Sequence, residues 1–151
     1  MTMPEETADD ILAITPTPRV KAAAGICVVS GVFSLILALQ AGTILQVRGI
    51  FQAATPLFAL LGLAAVVAGY RLARMRAGAA WFAVGAAAGV GLLSLLWFVF
   101  ALLNGVVLYL ALLLVPLTGG AVLAATGCTL ALERAARARQ RLRSEGLDSG
   151  L

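Results

Sequence analysis

Tyr70-Arg71-Leu72-Ala73-Arg74-Met75-Arg76-Ala77-Gly78 sets three arginines between two long apolar stretches, and this run decides how the chain is arranged. On either side the sequence is oil-like. A spanning helix needs about 20 mostly apolar residues to cross roughly 30 Å of hydrocarbon. Four uncharged stretches approach or exceed that length, at residues 22–45, 53–69, 77–103 and 106–132. The chain is all-α by this pattern, a polytopic integral membrane protein of four transmembrane helices in two hairpins. With 151 residues and 62% hydrophobic content, it has the size of one domain and more apolar side chain than a water-soluble domain carries. Its segments read as an acidic tail over residues 1–20, a first hairpin over 21–74, a second over 75–132, and a basic helix and tail over 133–151.

Charge sets the orientation. Arg19 and Lys21 precede the first span, Arg71, Arg74 and Arg76 separate the hairpins, and Arg134, Arg137, Arg139, Arg141 and Arg143 follow the last span. Only Arg48 lies in the first outer turn, and nothing basic lies at Asn104 and Gly105. By the positive-inside rule both termini and the central turn are cytoplasmic. The net charge of +4 needs no nucleic acid to explain it, because the basic residues border apolar segments without interleaved aromatics. These arginines are expected to contact anionic headgroups, each contributing about 1 kcal/mol near the surface, or a partner protein. An excess of arginine over lysine and abundant alanine point to a GC-rich bacterial source, hence an inner (plasma) membrane.

The N-terminal tail carries Glu5, Glu6, Asp9 and Asp10, then Ile11, Leu12 and Ile14, and breaks at Pro16 and Pro18. Disorder is the default for such an end, with a short surface helix over residues 8–14 as the alternative. The acids could pair with the basic helix at the other terminus. The first apolar run is longer than a signal-peptide core and follows acidic residues, so it reads as a retained anchor. The first outer corner, with Gln40, Thr43, Gln46, Gln52 and Thr55, is the most polar part of the outer face, while Trp81 and Tyr70 suit the inner headgroup boundary and Trp97 and Tyr109 the outer one.

Two prolines bear on helix shape. Pro56 falls near the start of the second span, where a missing donor costs little. Pro116, followed by Thr118, Gly119 and Gly120, deprives the Leu112 carbonyl of its helical partner and predicts a kink. Sliding the chain by sixty positions pairs Ala23 with Ala83, Gly25 with Gly85, Gly31 with Gly91, Ser34 with Ser94, Pro56 with Pro116 and Arg74 with Arg134. This suggests a duplicated hairpin, its halves related by an axis along the membrane normal.

Small residues recur every four positions at Ser30, Ser34, Ala38 and Gly42, and again at Gly85 and Gly89. Such stripes let helices approach closely in lipid. They serve the bundle itself or, at Gly85 and Gly89, a neighbouring subunit in a homo- or hetero-oligomer.

No catalytic, cofactor-binding or metal-ligating constellation is legible. There is no histidine, and Cys27 and Cys128 read as small buried packing residues. Small multidrug-resistance transporters share the size and the four spans, but their membrane-embedded glutamate has no counterpart in residues 22–45, so the resemblance ends at architecture. Claudin-like tetraspans need a long first outer loop that residues 46–52 cannot supply. The sequence therefore favours a non-enzymatic structural or accessory subunit of a larger membrane assembly. The alternative is a small oligomeric channel, transporter or holin-like pore lined by Ser34, Ser94 and Thr118.

Overall fold

A computed structural model describes the backbone of residues 5–43, 50–103 and 109–144, and the side-chain surroundings of residues 9–40, 54–103 and 109–144. Every element in it is an α-helix: α1 Glu5–Ile14, α2 Pro18–Thr43, α3 Ile50–Ala73, α4 Ala79–Leu103, α5 Tyr109–Thr126 and α6 Thr129–Ser144. Helices α2, α3, α4 and α5 are long and apolar enough to cross a membrane. Of the first outer corner only Gln40 and Thr55 have described side chains; its other residues, Gly42 as a packing position and the Asn104–Gly105 turn lie outside them.

The four spans form a closed ring. Helix α2 packs along α3, α3 along α4, α4 along α5, and α5 returns to α2. Helices α2 and α4 also touch across the diagonal. This makes α3 and α5 the opposite pair.

The spacing of buried positions explains the geometry. Buried residues fall at 20, 23, 27, 30, 34 and 37 in α2, at 83, 87, 90, 94, 97 and 101 in α4, and at 111, 114, 118, 121 and 125 in α5. Steps of three and four alternate, which is the heptad spacing of left-handed bundles crossing at about +20°. Side chains off this seam, among them Leu39, Leu60, Leu96, Leu103 and Leu123, point outward as a lipid-facing surface.

Glycine sets the distance of closest approach. A Cβ on Gly31 of α2 would stand 2.6 Å from the carbonyl oxygen of Gly62 on α3, and one on Gly69 would stand 2.7 Å from that of Ala24. The α2–α3 seam is thus backbone against backbone. Ser34 bridges it, its hydroxyl donating to the Phe58 carbonyl at 3.0 Å.

Several expectations need revision. The N-terminal segment is not left as coil: α1 is helical from Glu5 and lies against α6. Its apolar side chains explain this, since Ile11 and Ile14 are half-buried while Leu12 is exposed. Pro56 is the seventh residue of α3, inside the helix, so the Gln52 carbonyl lacks a helical donor. Helix α5 runs without interruption through Pro116, Gly119 and Gly120. A break in the helical run falls further on, at Gly127 and Cys128.

At that break the Cys128 N–H donates to Ala125 in a tightened turn, and the Thr126 and Thr129 hydroxyls donate back to Leu123 and Thr126. Glycine and back-bonding threonines together loosen the helical ladder. The fourth span therefore does not simply extend outward. After the break, Leu132 and Ala135 of α6 join a cluster with Val20 and Ala23 of α2, Leu72 and Met75 at the end of α3, and Ala79 and Ala80 at the start of α4. Helix α6 crosses beneath the bundle from the α5 corner toward the α3 corner. Trp97, expected toward the outer boundary, turns its ring into the bundle. It is buried, edge-on to Phe58 with ring centroids 6.0 Å apart.

Candidate functional site at the arginine-rich end

The run that opened the sequence reading forms the hub of this end. Helix α3 finishes in a Schellman motif: the Arg76 N–H reaches back to the Arg71 carbonyl at 3.1 Å, and the Met75 N–H to Leu72 at 2.9 Å. The left-handed position is filled by Met75, at φ 50°, where glycine is usual. A non-glycine residue there costs roughly 1–2 kcal/mol. The thioether offsets this by packing, being 1% exposed within the cluster beneath the bundle.

Arg139 completes the motif from α6. Its guanidinium donates from Nη1 to the Met75 carbonyl at 2.9 Å and from Nη2 to the Arg74 carbonyl at 3.0 Å. A fork-shaped cation thus sits on the negative end of a long helix, satisfying carbonyls that have no helical donor. This one side chain ties the C-terminal segment to the turn between the hairpins.

The neighbouring arginines are steered by aromatic rings. Arg71 lies over Phe82, 5.5 Å from its centroid, and Arg74 over Tyr70 at 5.3 Å. Arg71 Nε is buried without a hydrogen-bond partner, so the ring face is the favourable contact this side chain has there. On α6, Arg137 stands 3.8 Å from Glu133, an exposed pair that adds little stability.

Among the described residues, two arginine-bordered clefts open at this end. One, of about 690 Å³, lies between the end of α3, the α1–α2 linker and α6, and is bordered by Arg74, Arg76, Arg139 and Arg143. The other, of about 550 Å³, lies between the first turn of α2 and the α5–α6 break, with Arg19, Arg134 and Cys128 on its walls. Burial pushes the Cys128 thiol up from its ordinary value and keeps it a neutral packing group. Among the described residues no three His, Cys, Asp or Glu side chains gather as a metal site would require. The chemistry at hand is anion recognition by arginine.

The eight arginines singled out from the sequence therefore divide. Arg74, Arg76, Arg139 and Arg143 border one cleft, Arg134 borders the other, Arg71 is drawn against Phe82, and Arg137 and Arg141 are exposed. The packing stripe divides too. Ser30, Ser34 and Ala38 are buried within the bundle, and a Cβ on Gly89 would stand 3.0 Å from Leu61 of the same chain. Gly85 is exposed with nothing within 4 Å.

Sequence reasoning missed the role of Arg139 and the close approach at Gly31 and Gly62. Spacing in fours picks out Ala65, Gly69 and Ala73 on the second span but passes over Gly62 and Leu72; steps of three and four through Gly62, Ala65, Gly69 and Leu72 mark the seam. Nothing local distinguishes Arg139 from its neighbours, because its partners are 64 and 65 positions away. The fold defines the class: a four-span, all-helical membrane protein. No known protein family, curated protein or solved structure matches the chain closely enough to narrow that class.

Proposed function

We propose that the chain is a structural or accessory subunit of a larger membrane assembly, without enzymatic activity, resident in a bacterial inner membrane with both termini cytoplasmic. In this reading the apolar outer faces pack against lipid and partner subunits in a homo- or hetero-oligomer, and the arginine-rich end meets anionic headgroups. The observation that carries it is the closed interior. Leu37 of α2, Phe58 of α3, Val90 of α4 and Leu114 of α5 are buried together in one cluster, and α2 meets α4 across the diagonal. A solute path through one bundle would have to part those contacts. Full-length protein in liposomes should leave solute flux at the level of empty vesicles; selective flux would overturn the reading.

An internal duplication of the hairpin fits the same proposal. Burial repeats at the sixty-residue offset: Val20 with Ala80, Cys27 with Ala87, Ser34 with Ser94, Phe58 with Thr118, and Leu72 with Leu132 are buried pair by pair. Such a chain is a pseudo-dimer, and its outer faces would present two related surfaces to an assembly.

One observation favours the alternative, an oligomeric channel or transporter. Ser34 and Thr118 donate to backbone carbonyls, but the fully buried Ser94 hydroxyl has no partner. A path through an opened bundle would supply one. Flux that Ser34→Leu or Ser94→Leu abolishes would establish that reading in place of the first.

A further inference from the structure

We propose that the cleft between the end of α3, the α1–α2 linker and α6 is a binding site for the phosphate of an anionic phospholipid headgroup, held by Arg74, Arg76, Arg139 and Arg143. This deepens the reading of that end as lipid-facing and rests on it. Four arginines border a cleft of about 690 Å³, within the range that small-molecule sites occupy, and none of the described residues lining it is acidic. A run of arginines on a solvated helix face is ordinary in a membrane protein. What sets this cleft apart is that its cations come from two separate segments, α6 and the turn after α3, and that two of them are held in place.

Arg139 is fixed by its two bonds to the carbonyls of Arg74 and Met75. Of the five N–H donors on a guanidinium, three remain for a ligand. Those bonds also cover the negative end of α3, which would otherwise repel an anion. Arg74 is steered by Tyr70, 5.3 Å from its ring centroid. Arg76 is exposed at the cleft and can close on a phosphate without rebuilding the fold, and Arg143 borders the same cleft from α6.

A lipid fits better than a free anion because the cleft also has an apolar border. Ile14 and Pro16 line it beside the arginines. Glycerol and the first acyl carbons would meet that border while the phosphate meets the guanidinium groups. Helix α1 ends at Ile14, on the border of the cleft. The chemistry is that of an anionic phosphate headgroup such as that of phosphatidylglycerol or phosphatidic acid.

The test uses the full chain in neutral detergent, titrated with short-chain phosphatidylglycerol, phosphatidylcholine, inorganic phosphate and glycerol phosphate, with bound lipid counted by native mass spectrometry. One variant carries Arg76→Gln with Arg143→Gln; a control removes the same charge outside the cleft through Arg137→Gln with Arg141→Gln. Helical content and thermal midpoint establish that both fold. The proposal expects phosphatidylglycerol to bind at least tenfold more tightly than phosphatidylcholine, the cleft variant to lose about tenfold, and the control to lose less than twofold. Equal losses in both variants would overturn it, since delocalised surface charge would then suffice. Inorganic phosphate or glycerol phosphate binding as tightly as the lipid would overturn the lipid assignment. Binding in detergent does not depend on topology, so failure here is distinct from failure of the proposed orientation.

Discussion

Replacing Gly31 with alanine should separate α2 from α3. The added Cβ would meet the Gly62 carbonyl oxygen at 2.6 Å, Val66 Cγ2 at 2.8 Å and the Val66 backbone nitrogen at 2.9 Å. Val66 can turn its side chain, but the two backbone atoms cannot yield unless the helices part. A gap of about 0.5–1 Å forfeits a quarter to a half of the dispersion well at each contact along the seam, and overpacking of this kind costs roughly 1–3 kcal/mol. Alanine also returns nearly 1 kcal/mol of helix propensity relative to glycine. The net expectation is a loss of about 0–2 kcal/mol against wild type, taking the overpacking range less that return, and of about 1–3 kcal/mol against a control that gains the propensity alone. Gly85→Ala is the matched control, because a Cβ there has nothing within 4 Å and only the propensity gain applies. Reversible unfolding of the full chain in mixed micelles should therefore rank Gly85→Ala at or above wild type and Gly31→Ala well below it. Equal stability of the two variants would refute backbone contact as the determinant of the α2–α3 seam.

Other positions give independent tests. At Met75, where φ is 50°, glycine should be more stable than alanine by about 1 kcal/mol, the reverse of their order in a helix; unfolding midpoints of the two variants compare them directly. Ser94→Ala removes a buried hydroxyl without a partner and should be neutral or stabilising, whereas Ser34→Ala loses its bond to Phe58 and should cost about 0.6 kcal/mol in the same micelle titration. A larger loss at Ser94 would mean that its hydroxyl serves something other than packing. Because burial raises the Cys128 thiol, its thiolate should form at higher pH than that of an unfolded peptide. In folded protein the maleimide reaction at Cys128 should lag a peptide control at neutral pH and begin to approach it only above the ordinary thiol range. Matching rates at neutral pH would contradict its burial.

The number and order of the spans were legible from hydropathy alone, because a long uncharged run has little choice but to cross lipid as a helix. Their pairing into hairpins followed from the turns. The cross-seam detail was not legible. Gly31 and Gly62 approach because alternating steps of three and four carry both along one seam, and several small-residue periods coexist in so alanine-rich a sequence. The arginine-rich end was readable as a charge count and not as a device. Arg139 gains its role from the break at Gly127 and Cys128, which turns α6 under the bundle and brings it to the end of α3. A helix continuing the fourth span without that break would have carried Arg139 away from its partners. Helix α1 was weighed against disorder, and the amphipathic helix prevailed because α6 offers it a surface to lie on, with Ala138 and Leu142 buried at 3% and 2% exposure.

The arrangement as a whole depends on four crossings that return both termini to the arginine-rich side. Single cysteines introduced as Thr2→Cys and Ser149→Cys, probed with a membrane-impermeant maleimide, read this directly against a control lacking them. Both should be protected in intact cells and labelled in inverted vesicles. Labelling of one terminus in intact cells with protection of the other would contradict an even number of spans, and with it the account of how α6 reaches α3.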